Sequence, residues 1–260
     1  MSLFGVSSGV YPGELLDECG STNDLAKQRG LLGSALAPHG TWVSARVQTA
    51  GRGRMGRQWV SEPGNLFLSV ILRPNTHRYW TWIPLLGAVC VLDLVSRDEA
   101  YRRQSGSHVR RFSIKWPNDL WIDGAKWGGI LCEAVHAQSA SPFIVLGLGL
   151  NAGLAPKGLD QETASIDDPE FSDRLRQPLV AAIAEGVSRL DREGPGWVRA
   201  AYESWAEFRR GDLVQWKSEG KVLEAKVAEL GEMGELRVEF QDGSLRSLYA
   251  EEVSAVRARA

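Results

Sequence analysis

The densest run of chemically useful residues extends from Gln48 to Trp59, reading Gln-Thr-Ala-Gly-Arg-Gly-Arg-Met-Gly-Arg-Gln-Trp. Arg52, Arg54 and Arg57 alternate with Gly51, Gly53 and Gly56, and no acidic residue lies between Arg46 and Glu62. Glycine lets backbone N–H groups turn toward an anion at close range, and arginine adds charge-assisted, often bidentate hydrogen bonds. Binding of a phosphate or carboxylate is the chemistry such a loop serves. Gly51-x-Gly53-x-x-Gly56 also has the spelling of a dinucleotide fingerprint. That fingerprint needs a helix opening at its third glycine, which Trp59, Ser61, Pro63 and Gly64 oppose, and an acidic residue about twenty positions on, which is missing. No Gly-Lys-Ser/Thr of a P-loop occurs anywhere.

Lysine is scarce: seven of thirty basic residues, at 27, 115, 126, 157, 217, 221 and 226. Lys and Arg are not interchangeable where a compact ammonium is needed, so each lysine carries information. Lys115-Trp116-Pro117-Asn118-Asp119 reads as a strand end breaking into a turn, which gathers an ammonium, an amide and a carboxylate. In Lys126-Trp127-Gly128-Gly129-Ile130-Leu131-Cys132-Glu133, two glycines inside a strand pattern mark a bulge or the close approach of a ligand. Gly147-Leu148-Gly149-Leu150-Asn151 repeats that signal. Cys19, Cys90 and Cys132, and His39, His77, His108 and His136, are too scattered for a disulfide framework or a metal site.

The elements that must position these residues follow from periodicity and turn chemistry. Ser21-Thr22-Asn23-Asp24 offers N-cap chemistry for a short helix ending at Gly30. Thr41–Val47 and Leu66–Leu72 read as strands joined by the Gly/Arg loop, and Pro84 to about Arg97 as a core helix. Strands are expected over 112–116, 120–122, 129–135 and 143–150, with a hairpin turn at Asp123-Gly124. Apolar stripes predict helices over 175–192 and from Trp197 to Phe208. From Arg209 onward, strands over 213–217, 223–229, 236–240 and 245–249 suggest a small β-barrel. The expected fold is therefore α/β (α+β): a mixed-sheet domain over 1–208 and a small C-terminal domain over 209–260. The basic stretch Arg102–Arg111 reads as a solvated connection, or as a surface for docking an acidic carrier.

Ser21-Thr22-Asn23, the Gln48–Trp59 run, Lys115-Trp-Pro-Asn-Asp119, Lys126-x-x-Gly129-Ile-Leu and Gly149-x-Asn151 occur in the order and spacing of biotin protein ligases. The chain closely resembles that family over residues 10 to 155, and its tail resembles the family's SH3-like C-terminal domain more weakly. The resemblance implies a ligase that joins biotin and MgATP into biotinyl-5′-AMP and passes the biotinyl group to a lysine of a biotin carboxyl carrier protein. It implies that Ser21, Thr22, Asn23 and Gln48 hold the neutral ureido ring, with Gly129 allowing close approach. Gly51, Arg52, Gly53 and Arg54 would close over biotin, Arg57, Lys115, Asn118 and Asn151 would face the nucleotide, and Trp59 would order the loop. Lys126 would sit between the biotin carboxylate and the α-phosphate. Asp119 would either handle the acceptor lysine or help place magnesium, completing with Arg54, Lys115 and Lys126 the implied catalytic set. No protein-borne metal site is expected. Met55 departs from the family, where many members carry Arg, and the connection 102–111 is longer than expected.

At 260 residues the chain is long enough for a sizeable core, and 24 % charged with 43 % hydrophobic residues is an ordinary globular composition. A net charge of −2 removes the global field that bulk nucleic-acid binding needs. With no basic–apolar leader and no uninterrupted apolar span, a cytoplasmic protein without membrane partner is expected. The Ser-Thr-Asn motif begins at residue 21, so the family's N-terminal winged helix, and with it a DNA partner, is not expected. A homodimer is compatible with the sequence, which leaves the oligomeric state open. Two rival readings are a lipoate or octanoate ligase on the related fold and a nucleic-acid-binding protein using the Arg loop. The first lacks a ureido group for Ser-Thr-Asn to read.

Overall fold

A computed structural model describes residues 10–101, 110–137, 140–218, 221–250 and 256–258. Its larger layer is a seven-stranded sheet in the order β1-β2-β3-β7-β6-β5-β4. The strands are β1 (Gly13–Cys19), β2 (Trp42–Gln48), β3 (Leu66–Leu72), β4 (Phe112–Lys115), β5 (Asp119–Ile122), β6 (Ala125–Ala137) and β7 (Ala140–Leu150). Only β1 and β2 run parallel, which requires a crossover, and α1 (Thr22–Gly30) supplies it. All other pairs are antiparallel. The Asp123-Gly124 hairpin forms as expected, with both residues in the left-handed region (φ 51° and 84°).

β3, Leu-Phe-Leu-Ser-Val-Ile-Leu, is buried at every position, because both faces of the sheet are covered. Alternation divides its residues. Val43, Ile71, Phe143 and Val145 pack with Ala26 of α1 on one face. Trp42, Val70, Leu72, Ile144 and Leu146 turn to the other, onto α2 (Ile83–Val95), α3 (Phe171–Glu193) and α4 (Gly196–Trp205). α2 is apolar nearly all round and sits centrally, buried between the sheet and the other two helices.

β8 (Leu213–Ser218), β9 (Lys221–Leu230), β10 (Leu236–Glu239), β11 (Leu245–Leu248) and β12 (Val256–Ala258) form a second, antiparallel sheet ordered β11-β10-β9-β8-β12. Its apolar side joins the main core through Val214, Trp216, Val238 and Leu248. The turn before β10 is clasped from the larger layer: Trp82 Nε1 donates to Glu232 O (2.8 Å), Trp116 Nε1 to Gly234 O (3.0 Å) and Arg199 to Gly231 O (2.9 Å).

Several boundaries move. β1 and β12 were not expected, α3 begins at Phe171 rather than 175, and α4 stops at Trp205, leaving Phe208 beyond the helix. Ser21 holds the N-cap position of α1 but makes no side-chain cap bond. Most of the 102–111 stretch lies outside the described residues; Arg110 and Arg111 pair with Asp123 and Glu207. No helix among the described residues is long and apolar enough to cross a membrane.

Candidate functional site

Strand register assembles the site. Lys115 pairs with Asp119, Asp119 with Gly129, Gly129 with Gly149 and Gly149 with Phe67, so one row crosses five strands. The adjacent row runs Leu131–Gly147–Ser69. Both lie on the α1 face. Along β7 that face reads Phe143, Val145, Gly147, Gly149: packing under α1 gives out where side chains shrink to nothing, and a trough of about 390 Å³ opens. The glycines are seats for other site residues. A Cβ on Gly147 would lie 2.1 Å from Asn23 Oδ1, and one on Gly149 would lie 2.5 Å from the Trp59 ring. Gly129 also faces Trp59, at 3.1 Å, so the space it leaves is filled by the indole.

One end of the trough is neutral and self-paired. Gln48, at the end of β2, accepts from the Thr22 backbone N–H (2.8 Å) and from the Thr22 hydroxyl (3.1 Å) with a single oxygen. It thereby serves the start of α1, and buried Ser21 is left facing the trough instead of capping. Ser69 Oγ, fully buried, stands 2.8 Å from Thr22 Oγ1 and 2.5 Å from Asn23 Oδ1, and its single proton serves one of them. Asn23 Nδ2 donates to Leu131 O (3.3 Å) and to Glu133 (2.8 Å).

The Arg loop is a small hairpin rather than a flexible strap. Arg52 bridges Gln58, Gly53 N–H donates to Arg57 O (2.7 Å) and Trp59 N–H to Gly51 O (2.9 Å). The turn at Met55-Gly56 has φ of 56° and 71°, which glycine adopts freely and Met55 does not. Gly51 is required for close approach, since a Cβ there would lie 2.7 Å from Trp59 O. The counter-charge missing from the local sequence comes from elsewhere. Arg52 pairs with Asp24 (2.7 Å) and Glu133 (2.8 Å), and Arg46 with Asp17 (3.7 Å). Arg54 donates to Asn118 Oδ1 (2.9 Å) and to the carbonyl of Ala250, linking the loop to the second sheet.

The other end is cationic. Lys126 Nζ lies 2.8 Å from Asp119 Oδ1 and 5.5 Å from the Trp59 ring centre. Lys126 also forms an isolated bridge with Thr163, which clips the 156–163 loop against the trough. Between Leu120 and Trp121 of β5 the pairing with β6 shifts, leaving Trp127 as a bulge directly between Lys126 and Gly128. Lys115 is 7 % exposed, with its Nζ 4.1 Å from the Trp121 ring centre. Asn118 Nδ2 donates to Ile130 O (2.7 Å), and Asn151 Nδ2 to Ala164 O (3.0 Å). Asn151 Oδ1 and Trp59 Nε1 are buried with no protein partner. Both residues line the trough, while other orphan side-chain atoms, such as Trp80 Nε1 and Trp216 Nε1, lie away from it. Arg57 and Asp160 also line the trough.

All the residues singled out from the sequence thus surround one trough, except that Gly51 stands at the base of the loop. Ser69, Asp24, Glu133, the 156–163 loop and Ala250 carried no assignment. Ser69 could have been noticed as the one hydroxyl in an apolar strand, and Glu133 as the one acid in the strand that follows Gly128-Gly129.

A sheet-borne trough that is neutral at one end and cationic at the other defines a binding site for a molecule with an uncharged head and an anionic tail. The chain belongs to the biotin/lipoate A/B protein ligase family, whose model matches residues 19–151. It is 36 % identical over 195 residues to the bifunctional ligase/repressor BirA of Bacillus subtilis, covering 74 % of this chain and 53 % of that protein. It is 35 % identical over 215 residues to a biotin–[acetyl-CoA-carboxylase] ligase of Mycobacterium tuberculosis, covering 82 % of this chain and 75 % of the relative. The chain therefore spans about half of the bifunctional relative. In fold it resembles the biotin protein ligase of Aquifex aeolicus in complex with biotin and ATP, with a TM-score of 0.73 at 22 % identity over 95 % of this chain and 99 % of that one.

Proposed function

We propose that this protein is an ATP-dependent ligase that activates biotin as biotinyl-5′-AMP and transfers it to a lysine of a biotin carboxyl carrier protein in the cytoplasm. The observation that carries the reading is the polarity of the trough: a neutral hydrogen-bonding end at Thr22, Asn23, Gln48 and Ser69, continuous with a cationic end at Lys115, Lys126 and Arg54. Family membership and the relatives named above support it.

In the first step a biotin carboxylate oxygen attacks the α-phosphorus of ATP, and the bond to the pyrophosphate oxygen breaks. No protein nucleophile is needed; the site positions two anions and stabilises the charge that develops on phosphoryl oxygens. Lys126 brings carboxylate and α-phosphate together, and Asp119 holds that ammonium in place. Lys115 and Arg57 face the phosphates, while Asn118 both steadies Arg54 and lines the nucleotide end. Trp59 and Asn151 line the nucleotide end beside them. Ser21, Thr22, Asn23 and Gln48 read the ureido ring, and Gly51, Gly53 and Gly129 let the loop fold down onto the sheet. In the second step the acceptor amine attacks the acyl carbon and AMP leaves. Residues 1–208 carry this chemistry, with 209–260 bracing the loop through Ala250.

Among the described residues no three His, Cys, Asp or Glu side chains converge, and Asp119 and Asp160 are the carboxylates lining the cationic end. That donor set suits a magnesium ion carried by ATP's phosphates, which keeps several waters and takes one or two carboxylates. When bound, it neutralises phosphate charge.

Mass spectrometry of the protein incubated with MgATP and biotin, with and without a carboxyl carrier domain, tests the reading. Biotinyl-AMP and a single biotin-sized shift on the carrier are expected. An adenylate with lipoate or octanoate but not biotin overturns the substrate, and no adenylate with any of these acids overturns the reaction.

A further inference from the structure

The reaction as proposed gives Glu133 nothing to do, yet Asn23, Lys27 and Arg52 all converge on it. It stands on β6 on the face shared by Gly129 and Leu131, paired with Val145 of β7. One carboxylate oxygen accepts from Asn23 Nδ2 (2.8 Å) and from Arg52 (2.8 Å); the other accepts from Lys27 Nζ (3.0 Å) and from a second Arg52 nitrogen (3.2 Å). Arg52 also reaches Asp24 (2.7 Å), and Lys27 reaches the same Asp24 oxygen (2.9 Å). Two acids and two bases therefore close a charge-neutral ring that spans α1, β6 and the Arg loop.

Burial pushes the Glu133 carboxyl up, but hydrogen bonds from Asn23, Lys27 and Arg52, with the Arg52 charge, outweigh it and hold the group below the usual glutamate range. A carboxylate can only accept. Asn23 must therefore point its NH2 at Glu133, which turns Oδ1 toward Ser69 and the Gly147 floor. Arg52 meets the same carboxylate as a two-pronged fork, the geometry that fixes orientation as well as distance. Near its tip, where Met55 is 60 % exposed, the same hairpin is tethered by Arg54 to Asn118 and Ala250, so Arg52 is the tether on the side of α1 and β6.

We infer that Glu133 is the positioning residue of the Arg loop: by latching Arg52 to β6 it holds the Gly51–Trp59 hairpin closed over the activated acyl group, and by the same carboxylate it fixes the amide of Asn23. The inference rests on the biotin-adenylating reading above. An isolated exposed ion pair contributes little, whereas the bidentate fork of Arg52 on the half-buried Glu133 holds a loop.

The test is the dissociation rate of preformed biotinyl-AMP from the full chain, read by its capture on a bystander protein's lysines without carrier. Glu133→Gln keeps size and removes charge. It is expected to speed release about tenfold, and Arg52→Gln to do the same. Glu133→Gln with Arg52→Gln should be no faster than Arg52→Gln alone, since Arg52→Gln already breaks the contact with Glu133 along with the one to Asp24. Lys27→Met, which touches the same carboxylate but not the loop, should stay within about twofold. Release unchanged in Glu133→Gln, or single effects that multiply in the double variant, overturns the latch. If Glu133→Gln does not fold, Glu133→Asp takes its place: a faster release not worsened by Arg52→Gln supports the latch, and wild-type release overturns it. If the unaltered protein forms no adenylate at all, it is the functional reading that fails, not the latch.

Discussion

The two ends of the trough solve opposite problems. At the Thr22–Asn23 end the polar groups are paired with one another before any ligand arrives: Gln48 on Thr22, Ser69 beside Asn23, Asn23 on Glu133. At the Lys126 end a buried donor on Trp59 and a buried acceptor on Asn151 have no protein partner, and the aromatic and cationic groups there rest on one another. A neutral head group gains little from charge and much from fixed direction, so the first end is built as a rigid template. Phosphoryl transfer gains from charge placed where the transition state develops it, so the second end concentrates ammonium and guanidinium groups. The difference teaches that recognition and activation are separable here, although both are laid on neighbouring rows of one sheet.

Substitutions can break that separation. Lys126→Ala should have the largest effect, lowering pyrophosphate release by about a thousandfold while biotin still binds and the protein still melts cooperatively; release near the wild-type rate would remove Lys126 from activation. Asp119→Asn should lower adenylation about tenfold by freeing Lys126, yet leave transfer from preformed biotinyl-AMP within about twofold. An equal loss in the transfer step would instead assign Asp119 to the acceptor lysine. The smallest effect belongs to His39, away from both ends. Its Nδ1 accepts from Arg73 N–H (2.9 Å) and its Nε2 donates to Ala184 O (2.9 Å), so it is neutral, and burial lowers its pKa from 6.5. The unfolded chain therefore takes up the proton first, and stability falls as pH drops below about 6.5. A melting temperature about 2 °C lower at pH 5.5 than at pH 7.5, flattened in His39→Gln with both KM values unchanged, is the expected result.

Much of this was legible in the residues because local rules and tertiary demands agree. β3 is a continuous apolar run that suits a strand covered on both faces, and its bounds match the expectation, Leu66–Leu72. Lys115 to Asp119 reads as a strand end and turn and folds as one. β1 escaped because Gly-Glu-Leu-Leu-Asp-Glu-Cys alternates poorly, as a half-exposed edge strand can. Ser21 looked like a cap, but Gln48, 26 residues from Thr22, serves that end of the helix. The Arg loop looked uncompensated because Asp24 and Glu133 are remote in sequence from Arg52, and only strand register and the α1 crossover bring them together. Register likewise placed the glycines: alternation shows that Gly147 and Gly149 share a face, not that Asn23 and Trp59 fill it.

Equilibrium binding of biotin alone, without nucleotide, to the unaltered protein, Gly147→Ala and Gly149→Ala tests the two-ended trough most directly. A methyl at Gly147 collides with Asn23 and one at Gly149 with Trp59. Gly147→Ala should weaken biotin about tenfold or more, while Gly149→Ala should leave it within about twofold and weaken ATP instead. Equal loss of biotin binding in the two variants would contradict the separation of recognition from activation.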